Sequence, residues 1–173
     1  MQLGILISLS SPIFSSDFIS LLYGQSLEDK SLQDKYGNQL DFTGIQSIGI
    51  KMGTHYFPRE ESENIFGAYG SFNLQESNAN SYILGGKNED LAYDSLVVNA
   101  GLTYALNNNI VLFGGIGVEG AYVETENKDD LYRNNTFNAN GGVMIYLLET
   151  KLGLTLEYNS APKLITVGVV HRW

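Results

Sequence analysis

Leu152-Gly153-Leu154-Thr155-Leu156-Glu157-Tyr158-Asn159 sets three leucines and a tyrosine at every second position, with Gly, Thr, Glu and Asn between them. A helix of period 3.6 would scatter the apolar residues around its circumference, whereas a strand sends successive side chains to opposite faces. The stretch therefore reads as a strand with one oily face and one small or polar face. The same alternation recurs upstream. Ile48, Ile50, Met52 and Tyr56 oppose Ser47, Gly49, Lys51, Gly53 and His55. Leu96, Val98, Ala100, Leu102, Tyr104 and Leu106 oppose Ser95, Asn99, Gly101 and Thr103. Phe137, Ala139, Val143, Ile145 and Leu147 oppose Thr136, Asn138, Asn140, Gly142 and Tyr146.

Working outward from this stretch gives eight segments, over 17–26, 42–56, 64–77, 92–106, 109–125, 135–149, 151–159 and 164–173. The connections alternate in length. Long polar stretches follow the first, third and fifth segments, over 26–41, 76–91 and 126–134. A medium turn at Pro58-Arg59-Glu60-Glu61 and tight turns at Asn107-Asn108-Asn109 and Glu149-Thr150 follow the even ones. Only Ser160-Ala161-Pro162-Lys163 is short where a long loop is expected. Short turns at one end and long loops at the other, on an even number of strands, are the pattern of a barrel crossing an outer membrane.

A soluble sheet would show the same stripe by packing its apolar face on a core. Two features argue against it. The polar faces carry Gly, Asn and Thr rather than the Lys and Glu of a watery surface, and no helical pattern is present to cover such a sheet. Charges gather in the connections instead, as in Glu28-Asp29-Lys30, Lys87-Asn88-Glu89-Asp90 and 124–130. No apolar run reaches the length of a spanning helix. The fold class expected is all-β: an eight-stranded antiparallel up-and-down transmembrane β-barrel over 17–173. Residues 1–16, with Leu3-Gly4-Ile5-Leu6-Ile7-Ser8-Leu9 followed by Ser10-Ser11-Pro12, read as a signal peptide or a structural N-terminal segment.

The last segment, Ile165-Thr166-Val167-Gly168-Val169-Val170-His171-Arg172-Trp173, ends on an aromatic with Ile165, Val167 and Val169 on one alternate face. It resembles the C-terminal strand of bacterial outer-membrane barrels, with His171 where such proteins often carry Tyr. Over 17–173 the architecture resembles the eight-stranded group that includes the OmpA transmembrane domain, OmpX and Ail. The resemblance implies an integral protein of the bacterial outer membrane. It further implies that Ile165, Val167, Val169 and Trp173 form the signal read by the barrel-assembly machinery.

Four charged residues fall on polar faces within the strands: Lys51, Glu119, Glu157 and Arg172. Side chains just fill the inside of an eight-stranded barrel, so charges there are costly unless paired. Two positive and two negative charges suggest an internal ion-pair network that plugs the lumen, with a proton or ion path as the sharper alternative. Tyr56, Tyr104 and Trp173 are placed to girdle one rim, and Phe72 and Tyr122 the other.

Catalysis finds little support. His55 and His171 are the two histidines, neither with a serine and a carboxylate converging on it in sequence. Absence of cysteine removes thiol chemistry, and a net charge of -9 with ten Lys and Arg argues against nucleic acid. Asn127-Lys128-Asp129-Asp130 and Lys87-Asn88-Glu89-Asp90 lack calcium-loop spacing, and Gly114-Gly115-Ile116-Gly117 precedes no helix that would cradle phosphate. No cofactor and no metal are expected. The leading expectation is a monomeric, non-enzymatic surface barrel touching outer-membrane lipid, lipopolysaccharide, or host and cell-surface ligands through its three long loops. A narrow solute conduit and a lipid A-modifying enzyme are the alternatives.

Overall fold

The computed structural model describes residues 15–56, 66–78, 82–84, 87–89, 91–125, 130–147 and 150–173. Twelve strands are present among them: β1 Ser15–Ser26, β2 Lys30–Gln33, β3 Gln39–Phe42, β4 Gln46–Tyr56, β5 Phe66–Asn78, β6 Tyr82–Leu84, β7 Lys87–Glu89, β8 Leu91–Ala105, β9 Ile110–Thr125, β10 Asp130–Tyr146, β11 Leu152–Asn159 and β12 Leu164–Arg172. Eight of them close an antiparallel barrel in the order β1-β12-β11-β10-β9-β8-β5-β4. The others form two hairpins, β2–β3 and β6–β7, inside the first two long connections.

The eight alternating segments are the eight barrel strands, with three differences in detail. Phe42 belongs to the β2–β3 hairpin, and the barrel strand starts only at Gln46. Residues 130–134, expected in a loop, extend β10 through an irregularity between Asp130 and Tyr132. Ser15 and Ser16 stand in β1, paired with Tyr56 and His55. The rest of the proposed N-terminal segment, residues 1–14, lies outside the described residues, as do the turn at 58–61 and Glu149.

The pairing register fixes the barrel's shape. Starting at Glu119, the partners run Val97, Asn73, Gly49, Leu22, Gly168, Thr155, Met144 and Val111. One circuit returns to β9 lower by 119 − 111 = 8 residues. Eight strands with this stagger tilt by about 36°, which leaves an interior that side chains can fill.

So tight a curve crowds the concave face. A Cβ added to inward-facing Gly117 would lie 2.0 Å from the Val98 carbonyl oxygen, and one on inward-facing Gly142 would lie 2.0 Å from that of Leu156. Outward-facing Gly114 and Gly70 meet nothing closer than 3.7 Å and 3.8 Å. Glycine on the polar face thus permits closure.

The oily face points out. Leu21, Ile48, Leu74, Leu102, Ile116, Phe137, Leu154 and Val167 are each more than half exposed. A continuous exposed apolar band around a closed barrel is stable in hydrocarbon and not in water, so the barrel is membrane-spanning. On β5 the band runs from Phe66 to Leu74, which at about 3.3 Å per residue and this tilt is about 24 Å, close to the apolar band of such barrels. Its edge toward the loops is sharp: above Tyr23, Ile48, Leu74, Leu96 and Phe137 the next outward residues are Gln25, Gln46, Glu76, Asp94 and Asn135. At the turn end Tyr104 packs with Phe66 at 5.1 Å and Trp173 is exposed. Phe72, placed at a rim from sequence, lies inside the band opposite Ile50 and Val98, whereas Tyr122 stands above it opposite Asp94.

The wall is uneven. β11 stops at Asn159, opposite Asn140, and Ser160 N–H donates to the Ala139 carbonyl at 2.9 Å. β10 continues ten residues further, from 139 to 130, paired with β9 alone.

Candidate functional site

The inward residues form layers, and the lowest is aromatic. His55 stacks on Phe18 at 5.2 Å and meets Tyr146 at 5.4 Å. Arg172 stands over the Tyr146 ring at 4.4 Å, and its guanidinium donates to the Asn108 carbonyl at 2.7 Å and that of Thr150 at 3.4 Å.

Above this layer Lys51 and Glu157 meet at 2.8 Å, both side chains fully buried. The Lys51 ammonium also lies 3.2 Å from the Phe113 ring centroid and 4.9 Å from that of Tyr69, a cation–π seat that partly replaces its lost hydration. Asn140 donates to Glu157 Oε1 at 2.6 Å and accepts from the Tyr69 hydroxyl at 2.9 Å. Next come amides: Asn138 donates to Asn99 at 2.7 Å and Asn159 at 2.9 Å, and Asn99 donates to Asn159 at 3.0 Å and Ser71 at 3.2 Å. These bonds cross the interior, and carboxamides suit that task because each carries both donor and acceptor. Asn138 also accepts from Ala161 N–H at 3.0 Å, tying the β11–β12 turn to the lumen.

The loop end is covered by the β2–β3 hairpin. Leu40, Phe42 and Ile45 are buried against Leu91, Tyr93, Ala121, Val123 and Leu131 on the inner side of the tall wall. The hairpin turn is built on Asp34, whose carboxylate accepts from Tyr36 N–H at 2.8 Å, Asn38 N–H at 2.8 Å and the Asn38 amide at 2.9 Å. Lys35 N–H donates to the Leu131 carbonyl, joining the hairpin to β10 at 3.1 Å. Lys30 reaches into the lumen, 2.5 Å from Glu119 and 2.7 Å from the Tyr93 hydroxyl. On the hairpin's outer side, hydrogen bonds from Ser31 and Gln39 hold the Asp41 carboxyl below the usual carboxylate range. At the rim Lys163 pairs with Glu28, which raises the Lys163 ammonium above its ordinary value.

Of the four lumen charges named from sequence, the structure brings Lys51 and Glu157 together. Glu119 is met by Lys30, and Arg172 sits in the bottom layer. Sequence reading missed Lys30 because it lies in a connection with no alternation to orient it. It also passed over the asparagines, although Asn138 and Asn140 share the polar face of one segment. Ile165, Val167 and Val169 face outward, and Trp173 N–H donates to the Asp17 carbonyl at 3.1 Å across the β1–β12 seam. His55 is buried in the lumen and His171 is exposed on the outer face. Among the described residues no three His, Asp or Glu side chains gather as a metal site. Of the two acidic stretches considered for calcium, 127–129 and Asp90 lie outside the described residues.

No family model and no curated protein matches the sequence. Solved structures do match in fold. Ail, the attachment invasion locus protein of Yersinia pestis, crystallised with the heparin analogue sucrose octasulfate, superposes with a TM-score of 0.62 at 17% identity, over 92% of this chain and 99% of that one. The same protein without that ligand gives 0.59 at 17% identity, over 92% and 99%. Its backbone structure in a phospholipid bilayer nanodisc gives 0.55 at 15% identity, over 92% and 99%. The shared feature is the fold, a closed eight-stranded barrel of the outer-membrane type.

Proposed function

We propose that this chain is a monomeric, non-enzymatic surface barrel of the bacterial outer membrane. It holds a built platform, the tall β8–β9–β10 wall with the β2–β3 hairpin seated on it, above the membrane for contact with lipopolysaccharide or with host and cell-surface molecules. The observation that carries this is the uneven wall. Ten residues of β10 rise past the end of β11, and the first loop is an ordered hairpin packed against them. A barrel serving only as an anchor would need neither.

Binding surfaces concentrate in loops positioned by a rigid scaffold, and the three long connections, which follow β1, β5 and β9, all emerge at this end. A related fold in complex with a sulfated sugar analogue supports a role in ligand binding. The ligand itself differs on charge grounds. With a net charge of -9 and Glu76, Asp94 and Glu124 outward at the loop end, host and cell-surface partners that are neutral or cationic suit this chain better than polyanionic ones, and lipopolysaccharide would be met through its sugars. The aromatic layer, the Lys51–Glu157 pair and the asparagine bonds support a lumen closed to solutes, against the conduit alternative. Ile165, Val167, Val169 and Trp173 on the outer face act as the assembly signal.

The test is binding of intact cells that display the barrel to a panel of surface glycans and cultured host cells. The comparison is a version in which residues 27–44 are replaced by a short turn. Binding that disappears with the hairpin, at equal surface amount, supports the proposal; binding that persists undiminished overturns it. Steady ion conductance by the purified barrel in planar bilayers would overturn the closed lumen.

A further inference from the structure

The hairpin carries a charge into the lumen that the barrel wall does not supply. Lys30 Nζ lies 2.5 Å from Glu119 Oε1, 2.7 Å from the Tyr93 hydroxyl and 5.1 Å from the centroid of the Tyr93 ring. A carboxylate, a phenol oxygen and an aromatic face together form the surroundings that ammonium ions prefer. Glu119 and Tyr93 stand on β9 and β8, whereas Lys30 arrives on a segment joined to β4 through Gly44, whose φ is +64°. The cage stands on the barrel wall, and its ammonium is supplied by the hairpin.

A second set of groups lies beside the cage. Along one rung Ser47 faces Gln75, which faces Ser95, whose hydroxyl donates to Glu119 at 3.3 Å. Along the next, Gly49 faces Asn73, Asn73 faces Val97, and Val97 faces Glu119. Ser47, Asn73 and Gln75 are 2%, 0% and 2% exposed. The Ser47 hydroxyl and both amide atoms of Asn73 and of Gln75 make no hydrogen bond within the protein. Buried carboxamides nearly always find partners, and these two stand side by side with all four polar atoms unused by the protein and so able to bond a guest.

We infer that the upper lumen is a binding site for a small primary amine that also carries hydroxyl or amide groups. Lys30 is the built-in ammonium that fills its charged end while the hairpin is closed. Glu119 and Tyr93 take the ammonium; Ser47, Asn73 and Gln75 take the neutral groups. A quaternary amine offers no N–H to Glu119, and an uncharged polyol leaves the carboxylate unpaired. The site sits above the Lys51–Glu157 pair, so it is reached from the loop end and needs no passage through the barrel.

The experiment uses the full chain folded in detergent micelles, with glucosamine as probe and glucose, choline and sodium chloride as controls. Lys30→Met removes the internal ammonium and keeps an apolar side chain in its place. Glucosamine should raise the unfolding temperature of Lys30→Met saturably, with half-effect at about 1 mM, while the controls do not, and Glu119→Gln in that background should abolish the shift. No shift, or the same shift after Glu119→Gln, overturns the assignment. The native chain gives a second readout that does not depend on the variant folding. Glucosamine should displace Lys30 and speed amide exchange at Leu40 and Phe42, while choline at equal ionic strength does not. Exchange that stays equal in the two solutions also overturns it.

Discussion

Lys51 and Glu157 meet at 2.8 Å from β4 and β11, strands separated in the sheet by β1 and β12, so the pair braces the barrel through its interior. Neighbouring strands are already joined by backbone ladders. A side-chain pair between non-neighbours adds a constraint that the ladders do not.

Removing one partner should therefore cost more than removing both. Glu157→Leu leaves the Lys51 ammonium buried without its counter-charge and should lower stability by about 3–5 kcal/mol. Lys51→Met together with Glu157→Leu should recover at least half of that loss. Urea unfolding in lipid vesicles measures both, and equal stability of Glu157→Leu and the native chain would remove any bracing role for the pair.

Glycine position should matter by face. Gly117→Ala places a methyl 2.0 Å from the Val98 carbonyl oxygen and should destabilise by roughly 1–3 kcal/mol. Gly114→Ala places one 3.7 Å from its nearest neighbour and should change stability by less than about 0.5 kcal/mol. The same unfolding assay compares them.

Phe42 is fully buried between the hairpin and the tall wall. Phe42→Ala removes packing of the kind worth about 3–5 kcal/mol, which should release the hairpin while the barrel stays closed. Protease should then cut within residues 34–38, and the heat-dependent shift in gel mobility should persist. Resistance to cutting would show that Leu40, Ile45 and the Lys30 and Lys35 bonds hold the hairpin without Phe42.

The hairpin should respond to acid at Asp41. Asp41 titrates below the usual carboxylate range because Ser31 and Gln39 donate to it, so what it adds is fully present above about pH 4 and is lost as pH falls through its folded value. Amide exchange at Leu32 and Leu40, corrected for intrinsic rates, should stay constant from pH 7 to 5 and rise only below about pH 4. Asp41→Asn should abolish that rise.

Trp173 is exposed beside the β1–β12 seam, its N–H bonded to Asp17. If the C-terminal residues are read by the assembly machinery, deleting Trp173 should reduce the amount inserted in cells several-fold and leave refolding into detergent nearly unchanged. Equal losses in both settings would make its role one of packing.

Alternation made the barrel legible because lipid outside and close-packed side chains inside impose opposite demands on the two faces of every strand. Leu152 to Asn159 follows that rule without exception, and so does the lumen placement of Lys51, Glu119 and Glu157. The hairpin was not legible because Leu40, Phe42 and Ile45 are buried by a wall whose height depends on where β11 stops. That stopping point shows in sequence only as one short connection, Ser160 to Lys163. Glu119 illustrates the limit: its inward direction followed from its neighbours, but its partner Lys30 lies 89 residues away in a segment without period.

A barrel of even height would present the same profile whichever way it turned about the membrane normal. With β11 ending at Asn159 and its neighbour β10 continuing to Asp130, this molecule has a front and a back. A neighbour diffusing in the same leaflet meets a parapet from one side and an open terrace from the other. Crowding around the protein, and the angle from which a soluble partner can land, are therefore set by how it is turned in the membrane as well as by what its loops contain.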